Sequence, residues 1–306
     1  MGKTSIMGKW LLTSEFILFD VANGIARITL NCPKKRNAMN PQMLEELRCA
    51  LLEADDLISV NVIVLSGAGQ DFCSGYDLAG AYAGRAADAA DTTARNYRSS
   101  AQTLDDDCWG MERNLDRLMT IMDIHKPVIA QVQGNCVAGG TDLAMLCDIV
   151  IAADDAKIGY PATRANGTPP INMWFYHLGP QWAKRMLLTG DIISGIDAAR
   201  IGLVMDSVPP DELEAEVNAL AGKLALIDSE LLSINKRIAN LAFELMGGHT
   251  LQRLATELDA RGHLAQGPRR TKFKKDIAEL GLKGAIQSRD APFGDGRVKI
   301  RHLEPR

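Results

Sequence analysis

The sequence predicts an α/β fold, a mixed core of alternating strands and helices followed by a helical C-terminal region. Three observations carry this expectation. Apolar runs of strand length recur up to about residue 208, helical periodicities separate them, and beyond that point only the helical period continues. The segment "GIARITLN" (24–31) alternates as a half-buried strand does and runs into "CPKKRNAMN", a loop rich in turn formers. Residues 41–57, "PQMLEELRCALLEADDL", have helical spacing, with proline at the tolerated first position. The runs "VNVIVLSG" (60–67), "KPVIAQVQG" (126–134) and "CDIVIAAD" (147–154) are nearly all apolar, as strands covered on both faces are. Between "FCSGYDL" and "HKPVIAQ" lies a long segment. Its alanine- and glycine-rich first part, "AGAYAGRAADAADTTAR", reads as a mobile loop or weak helix, and its second part, about 97–124, as an amphipathic helix. The C-terminal helices are broken at "GGHT" and "QGPRR". The expected organisation is a tail at 1–12, an α/β core at 13–208 and a helical region at 209–306.

With 306 residues the chain can bury a proper core, and its 46% hydrophobic and 24% charged residues are ordinary for a globular protein. A net charge of −4 gives no reason to expect a nucleic-acid partner. No apolar run reaches the roughly 18 residues of a membrane span, and "MGKTSIMGKWLL" lacks a signal-peptide cleavage site. The six cysteines contain no C-x-x-C pair and sit in apolar or glycine-rich contexts, which favours reduced thiols and a cytoplasmic location. The five histidines are dispersed, so no metal site is expected. "GKTS" lacks the upstream glycine and strand of a phosphate loop, and the "NGT" sequon at 166–168 has no secretory context.

Two glycine turns each follow a buried strand: "FCSGYDL" (72–78) and "GNCVAGGTDLAM" (134–145). Such turns can aim one backbone N–H each at a single point, the geometry that holds negative charge developing on a carbonyl oxygen. The second turn opens a helix, whose N-terminal dipole adds to the effect. Asp142 follows in the first helical turn, where an acid either stabilises the helix end or transfers protons.

These turns and their surroundings resemble the crotonase (enoyl-CoA hydratase/isomerase) superfamily. The resemblance runs from about residue 16 to 290. It is carried by "LNCPKKRNAMN", "VIVLSGAGQDFCSGYDL", "KPVIAQVQGNCVAGGTDLAMLCDIVIAADDAKIGYP", "KRMLLTGDIISGIDAARIGLVMDSVPPDEL" and a charged C-terminal helix. It implies a crotonase-like ββα spiral core and an acyl-CoA thioester substrate, with CoA entering only as part of that substrate and no separate cofactor. It further implies a homotrimer or homohexamer. Matched position by position, the thioester oxygen would be held by the N–H groups of Tyr76 and Gly139, with Asp142 as the proton-transferring acid. CoA would be met by Lys35, Arg36, Ala38, Ser74 and Asp77, with neighbouring Lys34, and by Lys275 of the C-terminal helix beside Lys274 and Arg289.

One position departs from the pattern. The superfamily's second catalytic glutamate falls on Ala162, in "GYPATRANGTPP", and alanine can neither accept nor deliver a proton. Arg164 and Asn166 are nearest in sequence to the gap; Tyr76, Tyr160, His177 and Glu112 are further candidates. Arginine stays protonated and would only stabilise charge. The aromatic run "MWFY" (173–176) with Trp182 fits a core, a subunit interface or an acyl-pocket wall. The expected activity is of the enoyl-CoA hydratase/isomerase type. Isomerisation by a single aspartate, retro-Claisen cleavage of a β-keto acyl-CoA, and a non-catalytic acyl-CoA-binding subunit are the alternatives.

Overall fold

The computed structural model describes residues 8–82, 98, 103–165 and 167–300. The alanine-rich tract from residue 83 on, Asn166 and both chain ends lie outside the described residues.

Strand β1 (Ile17–Ala22) pairs antiparallel with β2 (Ile25–Leu30) across a two-residue turn. Asn23 (φ 53°) and Gly24 (φ 80°) both take positive φ there, the hairpin chemistry of an Asn-Gly step. The sheet continues in parallel through β3 (Val62–Gly67), β4 (Val128–Val132), β6 (Ile149–Ala153) and β9 (Asp206–Val208), in the order β1-β2-β3-β4-β6-β9. Burial in β2 alternates, whereas β3 is covered on both faces, matching the two kinds of apolar pattern in the sequence. A second sheet of three short strands, β5 (Asn135–Val137), β7 (Lys157–Gly159) and β8 (Ile192–Ser194), stands beside the first. Strands of three residues carry no periodicity, so this sheet has no signature in the sequence.

Helix α1 (Pro41–Asp56) starts at Asn40, whose side chain accepts the Met43 N–H at 2.7 Å, with Pro41 in the first turn. Helix α2 (Leu104–Asp123) is capped likewise by Thr103. Helix α3 (Gly139–Leu146) is buried along its whole length. Helices α4 (Trp174–Thr189) and α5 (Gly195–Arg200) complete the body. After β9 the chain is helical: α6 (Leu213–Ala225), α7 (Ser229–Leu245), α8 (Gly248–His263) and α9 (Pro268–Asp290). Helix α6 packs back on the large sheet, while α8 lies along α2. Gly247 (φ 80°) separates α7 from α8, and Pro268 opens α9. The core runs through both sheets and α1, α2 and α3, with Trp174 and Phe72 among its largest fully buried side chains. Among the described residues no helix is long and apolar enough to cross a membrane.

Candidate active site

The ends of β3 and β4 lie side by side because the strands are parallel, and each continues into a glycine turn. The two turns are fastened to each other by their backbones. Phe72 N–H donates to Gln133 O at 2.8 Å, Cys73 N–H to Asn135 O at 2.9 Å, and Val137 N–H to Cys73 O at 3.1 Å. Asp71 adds its carboxylate, which accepts from the Asn135 N–H at 2.9 Å. The approach leaves no room for side chains. A Cβ at Gly140 would lie 2.3 Å from Cys73 O, and one at Gly139 would lie 2.6 Å from the Tyr76 ring. Ala138 adopts φ 51° and ψ −127°, a strained conformation for alanine that turns the chain into α3.

Two N–H groups emerge from this packing. Around Tyr76, Met39 donates to Gly75 O and Asp77 donates to Met39 O, both at 2.8 Å. The Tyr76 N–H itself has no acceptor among the described residues. Gly139 is the first residue of α3, where an N–H has no partner within the helix, and it too has no acceptor among the described residues. The positive end of the helix dipole adds to both.

Asp142 sits one turn into α3, only 1% exposed. Its Oδ2 accepts the Tyr76 hydroxyl at 3.3 Å, while its buried Oδ1 has no hydrogen-bond partner among the described residues. It is therefore not a helix cap. Burial raises its carboxyl pKa well above the usual carboxylate range, the negative charge of Asp259 raises it further, and the Tyr76 hydroxyl offsets part of this. Burial and the Asp142 charge likewise raise the Tyr76 phenol, which stays a hydrogen-bond donor. Cys73, buried at the first turn, is pushed up to about 12 by burial, so it remains a thiol.

The expected CoA-contacting residues gather on the loop before α1. Asn37, fully buried with φ 54°, donates from Nδ2 to the carbonyls of Ala68, Asp71 and Phe72 and so clamps this loop on the first turn. Ser74 N–H donates to Arg36 O at 2.9 Å, and its hydroxyl to Lys35 O at 3.2 Å. Ala38 N–H donates to Lys35 O at 3.1 Å, and Lys35 Nζ pairs with Asp77 Oδ2 at 2.7 Å. Arg36 stays largely exposed, 3.9 Å from Asp71. The structure thus brings Lys35, Arg36, Ala38, Ser74 and Asp77 together. Lys275 stands apart on α9, exposed and paired along its own helix with Glu279 at 3.6 Å. Arg289 does not present its charge to a ligand: it is buried against Asp290 at 2.8 Å.

The candidates for the gap at Ala162 separate clearly. Arg164 is buried in a structural anchor. It bonds Thr189 O at 3.0 Å and pairs with Asp191 at 2.9 Å and Asp290 at 3.2 Å, with Phe293 stacked 4.2 Å away. His177 donates from Nε2 to Met145 O at 3.1 Å, and burial keeps its pKa low, as befits a satisfied core histidine. Glu112 is half-buried on α2, and Asn166 lies outside the described residues. Tyr160 is buried at the site, its hydroxyl donating to Thr168 O at 3.0 Å. In the aromatic run, Trp174 is core, Tyr176 packs edge-on against Phe243 at 4.5 Å, and Phe175 is exposed. One residue was missed by sequence reasoning. Asp259 of α8 is 6% exposed and lies close enough to raise the pKa values of Asp142, Tyr76 and Tyr160 together. Its only sequence signal is a histidine four residues on, in "LDARGH", a pattern shared by many solvated helix faces.

The chain as a whole is similar to known proteins. The pattern of the family described as enoyl-CoA hydratase/isomerase matches residues 20–266. The chain is 32% identical over 284 residues to the crotonyl-CoA hydratase of Syntrophomonas wolfei, covering 91% of this chain and 98% of that protein. It is 31% identical over 237 residues to a probable enoyl-CoA hydratase of Mycobacterium tuberculosis, covering 76% of this chain and 84% of the relative. Among solved structures, an enoyl-CoA hydratase from Mycobacterium smegmatis superposes with a TM-score of 0.83 at 32% identity, covering 94% of this chain and 98% of that one. An enoyl-CoA hydratase/isomerase from Xanthobacter autotrophicus does so with a TM-score of 0.81 at 33% identity, covering 91% and 98%.

Proposed function

The chain belongs to the enoyl-CoA hydratase/isomerase family and has the crotonase fold, and from that premise we propose that it moves protons on an acyl-CoA thioester through an enolate. The observation that carries the proposal is the pair of N–H groups, Tyr76 and Gly139, without an acceptor among the described residues, on two turns locked face to face beside a buried carboxyl. A thioester oxygen seated between these donors gains charge as the enolate forms. Donors already aimed at that oxygen stabilise the charge without reorganising. Asp142, with one free oxygen and a raised pKa, is suited both to hold a proton and to give it to the carbon beside the thioester. The relatives named as hydratases favour addition of water to a 2-enoyl-CoA as the reaction. The phosphates and adenine of CoA are assigned to the loop of Lys35, Arg36, Ala38, Ser74 and Asp77, clamped to the same turn by Asn37. Helix α7 leaves Leu231, Ile234, Ile238, Leu241 and Leu245 exposed, an apolar face that fits assembly of identical chains.

The test is turnover of trans-2-enoyl-, dienoyl- and β-keto-acyl-CoA esters by the purified protein, followed through loss of thioester-conjugated absorbance. The expected result is turnover of a 2-enoyl-CoA that Asp142→Asn abolishes. Tight binding of CoA esters with no turnover of any of them would replace this reading with a binding subunit.

A further inference from the structure

The gap at Ala162 leaves Asp142 without a second acid in its own half of the site, yet a carboxylate reaches the same place from the C-terminal region. Asp259 projects from α8 onto the loop after Ala162, where its Oδ1 accepts the Thr168 N–H at 2.7 Å. Thr168 also accepts the Tyr160 hydroxyl through its carbonyl, so one residue ties Asp259 to the site's buried tyrosine. The fit against the loop is close: a Cβ at Gly167 would lie 2.2 Å from Asp259 Oδ1, so the carboxylate would have to shift to admit a side chain there. One turn further along α8, His263 places Nε2 3.8 Å from Asp259 Oδ2 and Nδ1 2.7 Å from Asp107 Oδ2 on α2. His263 is thus a half-buried imidazole between two buried carboxylates, and Arg270 Nη2 donates to its backbone carbonyl at 3.2 Å. Among the described residues the buried Oδ1 of Asp142 has no hydrogen-bond partner.

We propose that Asp259 is the second acid–base carboxylate of this site, replacing the one absent at Ala162, and that His263, held by Asp107, is the positioning residue that exchanges its proton with solvent. The inference rests on the enolate reading above. In hydration, Asp259 takes a proton from water as the water oxygen bonds to the β-carbon. The double-bond electron pair moves into the thioester and rests on the oxygen held by Tyr76 and Gly139. Asp142 then gives its proton to the α-carbon, the enolate pair forming the new C–H bond. One water has been added and nothing is oxidised or reduced; Asp259 passes the proton it took to His263 and on to solvent, and Asp142 regains one from water that enters at its Oδ1 as product leaves. The groups facing Asp259 are Asp142, Tyr76 and Tyr160 on the site side, and His263, Asp107 and Arg270 on the other.

Two reactions separate the roles. Exchange of the α-protons of butyryl-CoA in deuterium oxide, followed by NMR, needs Asp142 and the two N–H groups; hydration of crotonyl-CoA needs Asp259 as well. Asp259→Asn is expected to lower hydration at least a hundredfold more than α-exchange, while Asp142→Asn lowers both. Asp259→Glu is expected to recover part of the hydration rate. His263→Asn is expected to shift the pH profile of kcat with little change in KM. If Asp259→Asn hydrates within threefold of the parent, or loses both reactions equally with its unfolding temperature unchanged, Asp259 is not the second carboxylate. If Asp259→Asn does not fold, an unaltered pH profile in His263→Asn overturns the proposal instead. Absence of α-exchange in the parent protein would count against the underlying enolate reading, whereas full α-exchange in Asp142→Asn would count only against Asp142 as the proton carrier, so the failures are distinguishable.

Discussion

The two ends of the candidate site are held in different ways. At the oxygen end, Tyr76 and Gly139 lie on turns bonded by backbone groups at 2.8–3.1 Å, with glycines packed against carbonyl oxygens. At the proton end, Asp142 and Asp259 arrive from α3 and α8, and the contacts that place them are side-chain bonds to Tyr76, Thr168 and His263. The difference teaches which parts of the site a sequence can encode locally. A backbone donor needs only the right turn, and any side chain may occupy the position so long as its neighbours are glycine. A proton carrier needs a particular side chain, and it can be supplied from any element that packs close enough. The oxygen end is therefore fixed by local geometry, and the proton end is open to replacement.

The largest expected effect comes from breaking the proton end. Asp142→Asn should lower kcat by about 10²–10⁴-fold with KM nearly unchanged, because the amide keeps the shape and loses the proton. Steady-state kinetics on the preferred enoyl-CoA checks this, and an equal rise in KM would show instead that Asp142 binds substrate. The oxygen end is broken by Gly140→Ala, whose new Cβ would meet Cys73 O at 2.3 Å and push the turns apart. A shift of about 1 Å there should cost roughly a hundredfold in turnover. It should also weaken binding of an enolate-mimicking CoA ester, which Asp142→Asn should leave intact. Equal binding by both variants would erase the distinction between the ends.

The legibility of the molecule in its sequence follows the same division. The two-faced burial of β3, the alternation of β2 and both glycine turns are periodic or local features, and the structure carries them where the residues placed them. Lys35, Arg36, Ala38, Ser74 and Asp77 were grouped by the family resemblance, and Asn37 and the Met39 backbone hold their two segments together in the fold. Arg164 misled because proximity in sequence to Ala162 is not proximity in function. Its guanidinium turns away to Asp191 and Asp290. Asp259 was invisible for the converse reason: only the packing of α8 along α2 brings it to the site, and no local pattern records that contact. The small sheet of β5, β7 and β8 was hidden by its three-residue strands.

A smaller effect concerns stability. The folded-state pKa of Asp142 is raised from 3.8, so the folded protein binds more protons than the unfolded chain above about pH 4. Stability contributed at this site is thus present below the unfolded value and is lost as pH rises toward the folded pKa. Relative to wild type, Asp142→Asn should gain stability by up to about 1.4 kcal/mol per pH unit across that window and level off beyond it. Denaturant melts of both proteins between pH 4 and pH 8 measure the difference; a gap that stays constant with pH would mean that the carboxyl is not buried. The smallest effect is expected at the loop of Lys35, proposed to hold CoA. Lys35 is more than half exposed and already paired with Asp77. Lys35→Ala should therefore raise KM only roughly fivefold, about 1 kcal/mol, and leave kcat unchanged. A fall in kcat would mean that the loop shapes the first turn and does not act on binding alone.

The central claim is that the thioester oxygen is held by two backbone N–H groups. A crystal structure of the protein with butyryl-CoA, a saturated ester that cannot be hydrated, tests it most directly. The account predicts the thioester oxygen at about 2.7–3.1 Å from both the Tyr76 and the Gly139 nitrogen, with the α-carbon facing Asp142. An ordered ester whose oxygen contacts neither nitrogen would contradict it.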